Sequence, residues 1–145
     1  MAKLPENNEK PAFQPDSDGR FVLLRHVPGP GFKDPGRQLP HWDLMLEHEN
    51  RLVSWAFDEH PLDLLDTSLT HSLESGIAVP LVGLPTKDHR LDFLEYEGPL
   101  SRNRGLVTRH LAGTYQWLRR TPARVAVRLS FDGIVRTLEF QVGES

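Results

Sequence analysis

The sequence predicts a mainly β protein, built either as a barrel or as a sandwich. Short runs of β-favouring residues recur along the chain, and Pro- or Gly-rich turns separate them. The alternation is most regular near the C-terminus, where apolar residues occupy every second position from 123 to 129. A turn at Asp132-Gly133 then leads into a further run over residues 134–142. Many short strands with regular turns are typical of both architectures.

The first strands are expected within residues 20–57. Residues 20–26 form an apolar, β-favouring run, and the Pro- and Gly-rich residues 27–40 are expected to form an irregular loop. Residues 41–48 and 51–57 predict a hairpin with a tight turn between them.

The segment at residues 61–75 has a different pattern from the strands. Leucines at helix-like spacing over residues 61–75 predict a short helix, with Gly76 just after its C-terminus. Residues 105–110 and 114–119 are expected to be two strands joined at Ala112-Gly113.

Length and composition favour one small domain. The 145 residues can enclose a single core, and the polar residues 1–19 are expected to form a disordered tail before a domain over residues 20–145. The sequence contains no run of about 18 apolar residues, the length needed to span a membrane. Cysteine is absent, so any metal must be bound by histidine and carboxylate side chains, and a cytoplasmic protein is expected.

Charge is distributed unevenly. Residues 1–98 contain 9 Lys and Arg against 17 Asp and Glu, whereas residues 99–145 contain 8 Arg against 3 acidic residues. Arginine can contact phosphate with two hydrogen bonds, so this third of the chain predicts contact with nucleic acid. The alternative is that these arginines lie on solvated outer faces of strands.

Three residues predict a metal site. Side chains two apart in a strand point the same way, so His41 and Asp43 can converge on one ion. His26 shares a face with Val22 and Leu24 in its own strand, so it is expected to point inward. A single inward histidine is usually a hydrogen-bonded core residue. Two histidines and a carboxylate together indicate a catalytic site for Mn, Fe or Zn.

His89 and Arg90 are the other candidate catalytic residues. In the sequence Lys87-Asp-His-Arg, the histidine could bind phosphate or act as a general acid, or the segment could be a surface turn. The remaining histidines lack such neighbours and are expected to face solvent; they are His48, His60, His71 and His110.

Four motifs in order resemble the 3′-phosphoesterase domain of bacterial DNA ligase D. They are Arg20-Phe-Val up to His26, His41-Trp-Asp43 up to Glu47, Val53-Ser-Trp-Ala56, and Asp88-His89 up to Gly98. The resemblance covers about residues 20–142. It implies a small closed or partly open antiparallel β-barrel with one or two short helices. It also implies a Mn-dependent enzyme that removes phosphates and ribonucleotides from 3′ ends in DNA repair.

Carried over by position, the family's metal ligands are His26, His41 and Asp43, and its phosphate-contacting histidine is His89. The chain departs from the family pattern at four positions around the phosphate. The family's arginine, active-site tyrosine, lysine and acidic residue are replaced by Met45, Phe93, Val53 and Lys87. Losing such a contact to a phosphoryl group typically costs about 10²–10³ in rate. The candidate substitutes are Arg25, Arg90, Arg102 and Arg104.

Three hypotheses follow. The first is a monomeric, metal-dependent phosphoesterase acting on nucleic-acid 3′ ends beside a separate ligase or polymerase, with His89 and Arg90 as catalytic residues. The second is a non-catalytic module that binds nucleic-acid ends through the Arg-rich third. The third is a cupin-like metal oxygenase, in which His89 or His110 would replace His26 as the third ligand.

Overall fold

The computed structural model describes residues 17–34, 37–62 and 81–144, and the mainly β prediction is confirmed within them. Eight strands are present, and two short 3-10 helices lie at Leu91–Leu94 and Ser101–Asn103. The strands are β1 (Gly19–Pro28), β2 (His41–His48), β3 (Arg51–Phe57), β4 (Val82–His89), β5 (Gly98–Leu100), β6 (Gly105–Arg120), β7 (Arg124–Phe131) and β8 (Ile134–Val142).

All eight strands belong to one sheet that closes on itself. Their order is β1-β2-β3-β4-β8-β7-β6-β5, and β1 also pairs with β6, so seven strands form a ring and β5 adds to β6 outside it. The expected antiparallel pairing is found between all neighbouring strands of this sheet except β4 and β8, which pair in parallel. Directions alternate between antiparallel neighbours, so a ring with an odd number of strands must contain a parallel pair.

The main core fills the inside of the ring. Alternate side chains of β1 and β2, such as Phe21 and Leu44, point inward with apolar residues of β3, β6, β7 and β8. Aromatic rings meet edge to face there, with centroids 5.0 Å apart for Phe57 and Phe140 and 5.4 Å apart for Trp55 and Phe140.

A second apolar cluster lies on the outer face of β1, β2 and β3. The 3-10 helix at Leu91–Leu94 packs on this face, and Val107 of the neighbouring strand β6 extends the cluster, so β1 and β2 are buried on both sides. Its buried members are Val22, Leu24, Met45, Leu52, Leu94 and Val107. Strand alternation puts His26 on the same face as Leu24, and Asp43 on the same face as Met45. The candidate site therefore lies on this covered outer face and not inside the ring.

The segment predicted as two strands joined at Ala112-Gly113 is one strand, Gly105–Arg120. At Gly113 the backbone of β7 approaches so closely that a Cβ would collide with the carbonyl of Ser130. This glycine therefore permits close strand contact and does not mark a turn.

The expected disordered tail (residues 1–19) and the expected helix (residues 61–75) lie largely outside the described residues, which omit residues 1–16 and 63–80.

Candidate metal centre

Three potential metal ligands meet at the end of β1 and the start of β2. His26 and His41 are opposite each other in the antiparallel register, and Asp43 follows two residues along β2. Side chains two apart share a face, so all three project to one side. Only 4 %, 3 % and 7 % of their respective surfaces are exposed. The structure thus brings the three predicted ligands together in a buried group that could hold a metal ion.

The distances within this group suit one small ion. His26 Nδ1 lies 3.2 Å from His41 Nε2. The Asp43 carboxylate approaches within 3.5 Å of His41 Nε2 and within 3.8 Å of His26 Nδ1. An ion bound at about 2.0–2.2 Å places neighbouring nitrogen and oxygen ligands roughly 3.0–3.5 Å apart. Three ligands of this kind leave further coordination positions open for water or substrate.

Backbone carbonyls fix the opposite nitrogen of each imidazole. His26 Nε2 lies 3.0 Å from the carbonyl of Arg104, and His41 Nδ1 lies 2.9 Å from that of Leu39. Each of these nitrogens must carry its proton to donate to a carbonyl, so His26 Nδ1 and His41 Nε2 are left with facing lone pairs. Two facing lone pairs repel unless a proton or a cation lies between them. This donor set therefore fits a divalent ion.

When no metal is bound, a proton on Nε2 of His41 can lie between the two facing ring nitrogens and remove their repulsion. Burial opposes the charged form of His41, but the Asp43 carboxylate and the Leu39 carbonyl outweigh it and raise the pKa of His41 above 6.5. Burial lowers the pKa of His26, and the Arg104 carbonyl and Asp43 compensate only in part. A metal ion would replace the shared proton, so metal binding should compete with protonation of His41.

We expect the metal-free protein to be most stable near pH 6.5. Because the pKa values of His26 and His89 are lowered from 6.5, the native state binds fewer protons than the unfolded chain below that pH, and stability rises with pH there. The raised pKa of His41 makes the native state bind more protons above pH 6.5, so stability then falls as pH passes through the folded pKa.

Urea denaturation between pH 5 and 8 in a chelator tests this expectation. Saturating Mn²⁺ should abolish the fall in stability at the higher pH values, because the bound ion keeps His41 unprotonated. A metal-free protein whose stability rises steadily through this range would contradict the proposed protonation of His41.

The loop before β2 packs over the two imidazoles. The ring of Phe32 meets that of His26 edge-on with 4.8 Å between centroids, and it lies 6.1 Å from the ring of His41. The N–H of Gly31 donates to the carbonyl of Asn103 at 2.7 Å, where a Cβ would collide with the neighbouring backbone. This close backbone contact holds the loop beside the segment that supplies the carbonyl to His26.

His89 lies on the same covered outer face, at the end of β4 and opposite Leu52 of β3. Its ring meets that of Phe93 edge-on at 5.4 Å. Among the described residues, its buried Nδ1 has no hydrogen-bond partner. Burial lowers the pKa of His89, and the negative charges of Asp43 and Asp88 oppose that effect. His89 is therefore within electrostatic reach of the metal group and has a ring nitrogen available.

The arginines considered as substitutes for the family's phosphate-binding arginine differ in their exposure and contacts. The Arg90 side chain is 81 % exposed and lies 3.9 Å from Asp92. The Arg104 guanidinium bonds to Ser101, and Arg102 is exposed. Arg25 lies over the ring of Trp42, 4.8 Å from its centroid and on the face of the sheet opposite to His26.

Two of the histidines expected to face solvent also contact an aromatic residue; His110 is exposed, as expected, whereas His60 is half-buried. The rings of His60 and His110 lie 4.7 Å and 4.8 Å from that of Trp42 and 5.0 Å from each other. Trp42 points away from its neighbour His41, as strand alternation requires. His48 forms an edge contact with Trp117 at 6.0 Å, and His71 lies outside the described residues.

The oxygenase hypothesis required His26 to lie away from the other ligands. His26 instead contacts His41 directly, and His110 contacts Trp42, which projects from the opposite face of β2. Arg37, in the loop before β2, was not predicted as a site residue, because that loop was expected to be irregular. The only available signal was a lone arginine between the two histidine ligands.

Neither a protein-family model nor a curated protein matches this chain. The similarity to the phosphoesterase domain of DNA ligase D therefore rests on the four motifs and stays a prediction. Within the described residues, no helix is long and apolar enough to cross a membrane.

Proposed function

We propose that this chain is a metal-dependent phosphoesterase that removes a 3′-phosphate or a 3′-ribonucleotide from a nucleic-acid end. One observation carries the proposal. His26 Nδ1 and His41 Nε2 face each other at 3.2 Å beside the Asp43 carboxylate, and the opposite nitrogen of each imidazole lies within hydrogen-bond distance of a backbone carbonyl. The order of the four sequence motifs supports the choice of reaction and of Mn²⁺ as the ion.

Each residue has a chemical task in this proposal. A bound ion supplies polarisation of a phosphoryl oxygen and a lowered pKa for a coordinated water. Hydrolysis then needs a group that contacts the phosphoryl oxygens or passes a proton to the departing 3′ oxygen. His89 suits the first of these tasks, because its unpartnered ring nitrogen can donate an N–H to a phosphoryl oxygen. Its lowered pKa leaves the imidazole neutral near pH 7, so it carries no extra proton for the departing oxygen. The exposed guanidinium of Arg90 can contact the substrate backbone next to it.

A nucleic-acid substrate fits the charge distribution. Arginines of β6 and β7 are exposed, although Arg119 and Arg124 also lie within 4 Å of Glu139. Such a surface would position a phosphate backbone without reading its sequence. Release of a clean 3′ hydroxyl would serve a ligase or polymerase acting next, and a separate enzyme of that kind is the partner we propose.

The second candidate is a module that binds nucleic-acid ends without cleaving them. Two substitutions favour it. Met45 lies in the apolar cluster where the family has a phosphate-binding arginine, and Phe93 presents a bare ring to His89 where the family has a tyrosine hydroxyl. This candidate predicts salt-sensitive binding that survives His41→Ala.

The test uses the full chain with a primer that ends in a 3′-phosphate or in one 3′-ribonucleotide. With Mn²⁺ we expect inorganic phosphate or a shortened primer, no product in a chelator, and loss of product in Asp43→Asn. Asp132→Asn, in the exposed turn between β7 and β8, is the matched control and should retain activity. Absence of product with Mn²⁺, Zn²⁺, Fe²⁺ and Mg²⁺, while the chain binds the same primers, would overturn the phosphoesterase in favour of the binding module.

A further inference from the structure

The candidate centre has no phosphate-binding arginine on β2. Met45 occupies that position and is 2 % exposed among apolar side chains, so no cation can enter there. A phosphoryl group bound near the metal ligands would still carry negative charge. A positive group must therefore come from another element if the site is to bind such an anion well.

Arg37 lies in the loop that covers the two imidazoles. The described parts of this loop contact both ligands, Phe32 through its ring and Leu39 through its carbonyl. The Arg37 side chain is only 14 % exposed, and its guanidinium forms an ion pair with the Asp34 carboxylate. Its own backbone N–H donates to the carbonyl of Asp34 at 3.1 Å.

The charge of Arg37 also acts on the candidate site. It lowers the pKa of His41, a predicted ligand, and that of His89, the predicted phosphate contact on a different strand. Together with the largely buried Arg37 side chain and the contacts of its loop with both ligands, this effect supports a position of the guanidinium near the two histidines. Arg90 and Arg102 have exposed side chains by comparison, and the Arg104 guanidinium bonds to Ser101.

We propose that Arg37 is the anion-binding residue of this centre, and that the Asp34 carboxylate occupies its guanidinium until a phosphoryl group displaces it. The inference rests on the proposed function for the identity of the anion. A carboxylate and a phosphate present similar pairs of oxygens to a guanidinium, so one can replace the other in the same geometry. The loop before β2 thereby supplies the cation that β2 lacks.

Binding of inorganic phosphate to the Mn²⁺-loaded full chain, measured by titration calorimetry, tests the inference. Arg37→Gln should weaken phosphate binding about 10- to 100-fold, the effect of losing a charge-assisted hydrogen bond. Asp34→Asn should strengthen it several-fold, because the guanidinium becomes free. Arg51→Gln, which removes an exposed arginine at the hairpin turn, is the matched control and should leave phosphate affinity unchanged.

A purely structural ion pair gives a different pattern. Losing either partner would then loosen the loop, so both variants would weaken phosphate binding and lower thermal stability together. The double variant separates the two cases further, since Asp34→Asn should give no gain once Arg37 is replaced. Mn²⁺ affinity supplies a second readout. Arg37→Gln should strengthen Mn²⁺ binding, because a repelling positive charge is removed, whereas a loosened loop would weaken it.

The outcomes also separate this inference from the proposed function. Phosphate binding that depends on Arg37, in a chain that cleaves no substrate, supports the anion site and overturns the phosphoesterase. Cleavage and phosphate binding unchanged in Arg37→Gln overturn the anion site and leave the phosphoesterase standing. Absence of phosphate binding to the Mn²⁺-loaded wild-type chain overturns the role of Arg37.

Discussion

Replacing Asp43 by asparagine is expected to weaken Mn²⁺ binding by at least about 100-fold. The change removes the only negative charge among the three facing ligand atoms and keeps the shape of the side chain. Even the loss of an outer hydrogen-bond partner typically weakens metal affinity about 10- to 100-fold, so the loss of a direct ligand should exceed that range. Titration calorimetry of the metal-free chain with Mn²⁺ at pH 7.5 measures the change.

Asp132→Asn is the matched control for this experiment. Asp132 lies in the exposed turn between β7 and β8 with a φ of 51°, a conformation that asparagine also accepts. We expect this variant to bind Mn²⁺ as the wild type does. Wild-type affinity in Asp43→Asn would mean that the ion binds elsewhere in the chain.

Asp43→Asn should also change the pH dependence of the metal-free protein. Without the carboxylate, the pKa of His41 loses its main support and burial dominates. The fall in stability above pH 6.5 should therefore flatten. Urea denaturation of the variant in a chelator checks this, and a fall as steep as in the wild type would assign the effect to another group.

Met45→Arg is expected to destabilise the protein by about 3–5 kcal/mol, enough to unfold a domain of marginal stability. The substitution restores the arginine of the resembled family, yet the position lies in a sealed apolar cluster with Leu24, Leu52 and Val107. A guanidinium there would lose its water and be surrounded by apolar side chains. The free energy of unfolding in urea measures the effect.

Met45→Leu is the appropriate control, because a swap of similar volume usually costs less than about 1.5 kcal/mol. A folded Met45→Arg chain with near wild-type stability would contradict the description of this face as a closed cluster. It would also reopen position 45 as an anion-binding position, which would compete with the role proposed for Arg37.

The sequence allowed part of the candidate site to be predicted from local geometry. His41 and Asp43 share a face because they are two apart in a strand, and this argument needs no tertiary information. His26 required knowledge of its neighbour, since only the β1–β2 register brings it opposite His41. Alternation placed His26 with Val22 and Leu24, but it could not show that this face is the covered outside of the ring.

Other features depend on contacts between distant segments. The carbonyl of Arg104 reaches His26 because two stretches of backbone approach closely at Gly31. Arg37 belongs to a loop that packs over the imidazoles through Phe32 and Leu39, and no periodicity predicts a loop conformation. The parallel pairing of β4 with β8 follows from the number of strands in the ring, which short-range patterns do not determine.

Anomalous scattering from a crystal soaked in Mn²⁺ tests the central claim most directly. We expect a single strong peak at about 2.0–2.2 Å from His26 Nδ1, His41 Nε2 and a carboxylate oxygen of Asp43, with Arg104 and Leu39 still accepting from the opposite nitrogens. Peaks only at exposed carboxylates, with the two facing nitrogens still in direct hydrogen-bond contact, would contradict the assignment of a metal centre.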